Sequence, residues 1–536
     1  MQSPKMPKSN ALGIVLIALP SLAMAFTPAS GGILRLVPSK RGLSARRALP
    51  TVMAADESQK PIYLDYSGTT PVDGSVIDAM LPFLREAWGN PSSSHYFGRA
   101  AAEGLEKARG QVAESIGCSP GEIFFTSGGT ESNNWALKGA VYASRRALQD
   151  HFTKTMGGSA LSWSSMYVDQ LRPHVVTTAV EHPAVLEPLK WLQREQLCDV
   201  SIVPVGPDGV VKVQDIIDEL RSQTVIVSVM HANNEVGAVQ PIAEITAAVK
   251  QWAYDFGERG KMGMTSGILV HSDASQTLGK IDVNVGDLGV DLLSLAGHKL
   301  YAPKGVGALY IKGGVAGPAA TGTAFLTDED KEEAEEISSR ENKSEDYLMQ
   351  FLHGAGQERG LRAGTENVAL SVAMGAACDL VTLDAATEQR RQATLVARLH
   401  LIISKGVTGE IQVNGPELPA DLPASGVWPR LPNTLSLSFR GIMAADILKG
   451  VAGTLAASAG AACHSSGTSM SAVLEAMGVS PDFGFGTIRL SVGRHTTEEE
   501  VDVAGAALVS IANSLWTSQG VLGERLVNLR VDNVYG

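Results

Sequence analysis

The alternation of short apolar runs with helical stretches is the feature that most restricts the fold of this chain. From Pro61 onward, runs rich in β-branched residues recur, and helical patterns lie between them. This alternation predicts β–α–β units and a mainly parallel sheet, because parallel strands are joined by a crossover that is usually a helix. A helix is expected to begin near Ala184. The predicted strands of this sheet are residues 122–126, 174–179, 224–231, 268–273, 292–295 and 306–311.

The pattern along the chain predicts two folded domains after an N-terminal segment. Residues 61–384 are expected to form a large α/β domain. Residues 385–536 are expected to form a smaller α+β domain with a helix, strands at 433–439 and near 487–492, and a final helix. Two stretches, near 145–172 and 315–350, have weak periodicity or an acidic run, so we expect both to be insertions that form solvated loops.

Residues 1–55 are expected to be a targeting segment, because they contain no acidic residue and divide into two unlike halves. Lys5 and Lys8 precede an apolar run, residues 11–25, whose end has the small-x-small pattern of a signal peptidase site. Phe26 then precedes a basic, serine-containing stretch. This order is typical of bipartite plastid targeting and predicts a mature form without a membrane anchor. The alternatives are a retained anchor, secretion, or a cytosolic or mitochondrial location.

Charge and cysteine content restrict the partners. The formal net charge is −12 and the body has no sustained basic stripe, which argues against a nucleic-acid-binding surface. The four cysteines form no CxxC pair and have no metal-ligand spacing, so we expect a reducing compartment, no disulfide framework and no metal site. They are Cys118, Cys198, Cys378 and Cys463. A small-molecule substrate is the favoured partner.

Three polar elements follow predicted strands, where an open α/β sheet binds its ligands. Lys299 comes just after an apolar strand and could form a Schiff base, although most lysines are simply solvated. Asp273 ends another strand and could hold a pyridine nitrogen protonated, or could be an ordinary helix N-cap. The glycine-containing stretch 126–132 precedes a helix whose N–H groups could bind a phosphate. Together these elements favour one cofactor site.

Ten ordered motifs complete the pattern. They are YLDYSGTTP (63–71), WGNPSS (88–93), FTSGGTESNN (125–134), EHPAV (181–185), ANNEVG (232–237), HSDASQ (271–276), GHK (297–299), RAGTEN (362–367), SAGAACHSS (458–466) and IRLSVGR (488–494). With these motifs, residues 61–515 resemble class V of the fold-type I pyridoxal phosphate enzymes. Within that class the chain is similar to the cysteine desulfurases and selenocysteine lyases.

The resemblance implies a role for each residue around pyridoxal 5′-phosphate. Lys299 would carry the cofactor and move the Cα proton of the substrate. Asp273 would pair with the ring nitrogen, Gln276 with the ring hydroxyl, and His182 would stack on the ring. Without the motifs, a packed histidine would be the simpler interpretation of His182.

The resemblance also implies which residues hold the phosphate and the substrate. Asn234, which also belongs to the cofactor site, and Arg489 would hold the substrate carboxylate, although Arg489 alone could be a strand-edge cation. Thr365 would reach the phosphate of a second subunit, which implies a homodimer. The remaining phosphate ligands would be Gly129, Thr130 and His298.

Cys463 would decide the reaction. A lone cysteine is usually a buried apolar residue, but glycines and serines flank this one, which predicts a mobile loop. The resemblance makes its thiolate the group that attacks the sulfur of L-cysteine or the selenium of L-selenocysteine. L-Alanine would be released and a persulfide or selenosulfide would remain on Cys463, from which an acceptor protein could take the atom.

Two features depart from the cysteine desulfurase pattern. Ala296 stands where many desulfurases have a hydroxyl residue, and the tail ending at Gly536 lacks the extension that engages an iron–sulfur scaffold. Both bring the chain closer to selenocysteine lyase. The alternatives are another class V aminotransferase, a kynureninase-like hydrolase, or a catalytically idle scaffold.

Overall fold

The computed structural model describes residues 60–156, 172–255, 267–316, 347–418, 427–459 and 470–532, all within one compact unit that spans residues 58–536. The strands are β1 Ile62–Tyr63, β2 Ile123–Thr126, β3 His174–Thr178, β4 Asp199–Val203, β5 Thr224–Ser228, β6 Leu269–Asp273, β7 Leu292–Ala296, β8 Gly307–Ile311, β9 Ile411–Asn414, β10 Thr434–Phe439, β11 Leu455–Ala456, β12 Ser458–Ala459 and β13 Thr487–Ser491.

Helices separate most of these strands along the chain. They are α1 Gly74–Arg85, α2 Tyr96–Ser115, α3 Gly129–Met156, α4 Pro183–Arg194, α5 Val213–Asp218, α6 Ile242–Asp255, α7 Val285–Leu288, α8 Val368–Thr382, α9 Ala385–Gly406, α10 Ala444–Val451, α11 Ala472–Ala476, α12 Pro481–Gly484 and α13 Glu498–Asp532. The described residues also include four short 3₁₀ turns, at Pro120–Glu122, Gly297–Lys299, Gly314–Ala316 and Glu358–Gly360.

A seven-stranded sheet carries the larger core, with the strand order β2-β8-β7-β6-β5-β3-β4. The pairs from β7 to β4 are parallel, whereas β8 runs antiparallel to both β2 and β7. Every residue of β3, β5, β6, β7 and β8 is buried, as expected where helices cover both faces of a parallel sheet. The predicted mainly parallel sheet is therefore confirmed.

The C-terminal region forms a second, antiparallel sheet in the order β12-β13-β10-β9. Its buried face packs with α9 and α13 around residues such as Leu437, Leu490 and Leu508. The N-terminal β1 pairs with β11, and the next residue, Leu64, is fully buried in this same hydrophobic cluster. The chain after β1 therefore starts beside the C-terminal sheet and continues toward the larger one.

The loop prediction near 145–172 is wrong for its first part, because α3 continues to Met156. Leu148 is buried seven residues after the buried Val141, and this helical spacing places both side chains on the buried face of α3. Residues 157–171 and 317–346 lie outside the described residues. The strand β4 was not predicted; it lies at the sheet edge and leaves Ile202 half exposed.

Within the described ranges, no single helix is long and apolar enough to cross a membrane. One bent pair, Val368–Thr382 with Ala385–Gly406, meets that length and composition only when both helices are taken together, and they meet at 74°.

Candidate active site

The predicted site residues converge at the carboxyl ends of the strands in the larger sheet. Asp273 is the last residue of β6, and Lys299 ends the 3₁₀ turn that follows β7. His182 follows β3, and Gly129 begins α3 after β2. These loops lie at one edge because the strands that carry them run in the same direction. This is the edge at which open α/β sheets bind their ligands.

Lys299 is half-buried, and its ammonium points to the chain segment that follows β1. Its Nζ donates to the carbonyl oxygens of Ser67 at 2.5 Å and Gly68 at 2.6 Å. These two carbonyl acceptors fix the position of the amine. A lysine held this way can present its nitrogen to an electrophile once it loses a proton.

Gln276 lies beside this lysine. It is buried, and its Nε2 donates to the same Ser67 carbonyl at 3.0 Å. Lys280, which the sequence analysis did not identify, donates its Nζ to the Gln276 carbonyl at 2.9 Å and to Oε1 at 3.2 Å. Burial, and then the like charges of Lys299 and Arg489, lower the pKa of Lys280 to about 7. The available sequence signal is a lysine four residues after Gln276.

Asp273 is 6% exposed, and its two oxygens have different partners. Oδ1 accepts from the Ser275 backbone N–H at 2.9 Å, and Oδ2 accepts from Asn133 Nδ2 at 2.6 Å. The first contact is a local cap of the kind that the N-cap interpretation of Asp273 predicted, but it caps a turn rather than a helix. The second contact aims the other oxygen at α3, and the Asn133 amide oxygen has no partner among the described residues. Asp273 is therefore buried and held by one contact to each of its oxygens, next to an Asn133 oxygen that lacks a partner.

His182 is both a helix cap and a neighbour of the charged site residues. Its Nδ1 accepts from the Ala184 N–H at 3.1 Å, so a neutral ring carries its proton on Nε2. Burial lowers its pKa; the Asp273 carboxylate opposes this shift and the Lys299 charge adds to it. At neutral pH the ring is uncharged, which suits a flat surface for stacking.

The turn before α3 has the backbone geometry of an anion site. Gly128 has φ +150°, which favours glycine, and the first helical hydrogen bond runs from Ser132 N to Gly128 O at 3.2 Å. The N–H groups of Gly129, Thr130 and Glu131 precede that bond, so they are available to a ligand at the positive end of a long helix. A Cβ on Gly129 would lie 2.8 Å from Ser275 Oγ.

His298 closes the same side of the site. Its Nδ1 lies 3.2 Å from Thr69 Oγ1, and its carbonyl accepts from the Thr70 N–H at 2.9 Å. Burial lowers its pKa to about 4, with further lowering by Lys299, Lys304, Lys280 and His182. His298 is therefore neutral at physiological pH and acts as a hydrogen-bonding group rather than a charge.

Arg489 lies on β13 and is 5% exposed. Its Nη2 donates to Asp65 Oδ1 at 2.7 Å, and its Nη1 donates to the Asn234 backbone oxygen at 2.9 Å. The Nε is buried and has no hydrogen-bond partner among the described residues. A guanidinium has five donors, so this one keeps donors for a further anion. The structure thus brings Arg489 and Asn234 together and adds Asp65, which was not predicted.

Thr365 takes no part in the contacts described above. Thr365 is exposed on this chain, in a segment tied to the start of α3 by the ion pair between Arg362 Nε and Glu131 Oε1 at 2.8 Å. Its predicted contact with a second subunit stays a prediction. Cys463 lies outside the described residues.

Comparison with known proteins identifies the family. The sequence profile of the aminotransferase class-V family matches residues 62–167 and 152–503. The chain belongs to the aminotransferase class-V family. Within this class-V family, it is 36% identical over 464 residues to "Cysteine desulfurase IscS" of Dictyoglomus turgidum, covering 86% of this chain and 96% of the relative. It is 37% identical over 452 residues to "Selenocysteine lyase" of Bos taurus, covering 83% and 92%.

A solved structure supports the class-V assignment at the level of the fold. A protein described as "NIFS-LIKE PROTEIN" superposes with a TM-score of 0.64 at 32% identity, covering 85% of this chain and all of that one. The predicted fold class is confirmed, and the predicted family with it. The identities to the desulfurase and to the lyase are nearly equal, so they do not separate the two kinds of class-V relative.

Proposed function

We propose that this class-V protein is a pyridoxal 5′-phosphate-dependent enzyme that removes sulfur from L-cysteine or selenium from L-selenocysteine and releases L-alanine. The observation that carries the proposal is the convergence of Lys299, Asp273 and His182 at one sheet edge, next to an arginine with an open donor. The names of the relatives supply the substrate class.

The donor set fits this cofactor. Lys299 provides the amine for covalent attachment, and Asp273 provides a buried carboxylate for the ring nitrogen. Neutral His182 provides a surface against which the ring can stack. When bound, the cofactor withdraws electrons from the substrate Cα, so that the Cα proton can leave. Lys299 is then the amine placed to accept and return that proton.

The phosphate would bind at the start of α3. Gly129 and Thr130 offer backbone N–H groups, and neutral His298 offers a ring nitrogen. Ala296 has no hydroxyl to offer the phosphate, but the Ser275 hydroxyl lies directly beside Gly129 and can replace it. We assign Ser275 to this contact in place of residue 296.

The substrate carboxylate would bind Arg489. The guanidinium already holds Asp65 and the Asn234 carbonyl, and these two contacts fix its plane. The remaining donors can hold a carboxylate in a charge-assisted hydrogen bond, which orients the substrate Cα toward Lys299. The Asn234 side chain would add a second polar contact.

Cys463 would provide the nucleophile. Burial raises the pKa of Cys118, Cys198 and Cys378 to about 12, so none of these thiols is ionised at neutral pH. Attack by the Cys463 thiolate forms a bond to the sulfur or selenium and breaks its bond to Cβ. The electron pair of the broken bond stays with the carbon fragment, which takes up protons and leaves as L-alanine.

The test of this assignment is Cys463→Ser beside Cys118→Ser, a matched change at a non-ionised thiol. Cys463→Ser should keep the yellow cofactor but lose activity on L-cysteine far more completely than on L-selenocysteine. The reason is that a selenol ionises more easily than a thiol, whose pKa is about 8.5, and an ionised selenolate can lose its selenium as Se(0) while the electron pair of the carbon–selenium bond stays with the carbon fragment. Cys118→Ser should keep both activities. Full desulfuration by Cys463→Ser contradicts the assignment of the nucleophile.

We further propose that the enzyme acts as a homodimer and that residues 1–55 direct it to a plastid. The exposed Thr365 and its anchor at α3 support the first proposal, and the acid-free, two-part sequence of the segment supports the second. A reporter fused to residues 1–60 should enter plastids, and import should fail with Phe26→Ala. A reporter that stays in the cytosol contradicts the targeting proposal.

A further inference from the structure

Lys280 is a buried lysine that has no acidic partner among the described residues. Its side chain is 6% exposed, and within the described ranges its ammonium donates to two oxygens of Gln276, the backbone oxygen and the amide oxygen. No carboxylate in the described part of the chain forms an ion pair with it. Burying an ammonium is costly, and an apolar side chain would fill the same position at lower cost. Its presence here therefore points to a role in the site.

A chain of hydrogen bonds connects Lys280 with Lys299. Lys280 Nζ donates to Gln276 Oε1 at 3.2 Å, Gln276 Nε2 donates to the Ser67 oxygen at 3.0 Å, and that oxygen also accepts from Lys299 Nζ at 2.5 Å. The contact with Lys280 decides which way the Gln276 amide is turned, because an ammonium can only donate. The nitrogen of that amide must then face Ser67.

Both lysines also line one small internal cavity. The charge of Arg489 also lowers the pKa of Lys280. The titratable groups that line the cavity with the two lysines are Tyr66, Tyr301, Glu388 and Arg494. Glu388 is hydrogen-bonded to Arg391 and Gln392, and it forms no ion pair or hydrogen bond with Lys280 among the described residues.

We propose that Lys280 is a positioning residue of this site, which orients the Gln276 amide and places a second positive charge beside Lys299, so that Lys299 releases its proton more readily. The inference rests on the proposed function, in which Lys299 binds the cofactor. Electrostatic coupling is reciprocal: the charge of Lys299 disfavours the charged form of Lys280, so the charge of Lys280 disfavours a proton on Lys299 by the same amount. A lysine next to another cation is a known way to obtain a reactive amine.

The experiment is a pH titration of the visible absorption band of the cofactor-loaded protein, which reports the protonation of the lysine that binds the cofactor. Wild type is compared with Lys280→Met, Lys280→Gln and Lys250→Met. The glutamine variant keeps a donor for Gln276 but removes the charge. Lys250 is the matched control: it is largely buried and bonds to Asp291 and to the Ile268 carbonyl, outside the site. Its loss should lower stability without moving the band.

We expect the midpoint of the titration to rise by at least about one pH unit in Lys280→Met and Lys280→Gln, since a nearby charge shifts a pKa by roughly one to three units. Wild-type titration should also be broader than a single-proton curve, because two coupled groups titrate together. Lys280→Met should additionally release the cofactor faster than Lys280→Gln. A visible band with an unchanged midpoint in both variants overturns the role of Lys280, whereas a wild-type protein without any such band overturns the proposed function itself.

Discussion

Replacing Arg489 by lysine should raise the KM for the amino-acid substrate much more than it lowers kcat. Lysine keeps the positive charge but lacks the planar guanidinium group, which now donates to Asp65 and to the Asn234 carbonyl. A single ammonium in this buried position would be drawn to Asp65, the acid that Arg489 now contacts at 2.7 Å. The substrate carboxylate would then lose its charge-assisted contact.

The size of the effect follows from that lost contact. A hydrogen bond to a charged group contributes about 1.5–3 kcal/mol, which corresponds to a rise of roughly 10- to 150-fold in KM. The carboxylate keeps the same charge throughout the reaction, so its binding stabilises the ground state and the transition state about equally. The kcat should therefore change less than the KM.

Steady-state assays of L-alanine formation check this prediction, with Arg398→Lys as the control. Arg398 is 40% exposed and pairs with Asp502 at 2.6 Å on the surface, so its replacement should leave both constants near the wild-type values. An unchanged KM in Arg489→Lys, or a loss confined to kcat, would refute the role of Arg489 in holding the carboxylate.

Three further predictions address the cofactor, the assembly and the pH dependence of folding. Lys299→Ala should abolish turnover and the yellow colour of the protein, which a visible spectrum checks; an active Lys299→Ala enzyme contradicts the mechanism. Thr365→Ala should leave a dimer in sedimentation but weaken cofactor retention, and a fully active wild-type monomer contradicts the shared site. Burial lowers the pKa of His271 from 6.5 to about 4. The buried, uncharged ring therefore contributes fully to the free energy of unfolding above pH 6.5, and this contribution is lost as the pH falls toward 4. Between pH of about 7.5 and 5, wild type should lose roughly 2 kcal/mol more unfolding free energy than His271→Asn, as measured with urea; equal losses contradict the pKa shift.

The sequence predicted those parts of the fold that depend on local periodicity. The strands that end at Asp273 and just before Lys299 are short, apolar and bounded by polar residues, so their positions were evident. Asp273 and Lys299 were recognisable because strand ends meet at one edge of a parallel sheet, whereas His182 was assigned only through the resemblance to the family. The end of α3 was not evident, because the periodicity after Arg145 is weak even though Leu148 is buried.

Contacts between distant parts of the chain could not be predicted in the same way. Asp65 and Arg489 are 424 positions apart, and they meet only because β1 lies beside the C-terminal sheet. Lys280 was missed for a related reason. A lysine in a sequence is most simply interpreted as a solvated side chain. The burial of Lys280, its contact with Gln276 and its closeness to Lys299 indicate a role only once the structure is known.

The most direct test of the proposed function is the product balance of the purified, cofactor-loaded protein with L-cysteine and, separately, with L-selenocysteine. L-Alanine should form together with an equal amount of sulfide or selenide, counted after a thiol reductant releases the atom bound to the enzyme. The ratio of the two rates then identifies the preferred substrate. Formation of a keto acid without L-alanine, as from an aminotransferase, or no turnover of either substrate would contradict the proposal.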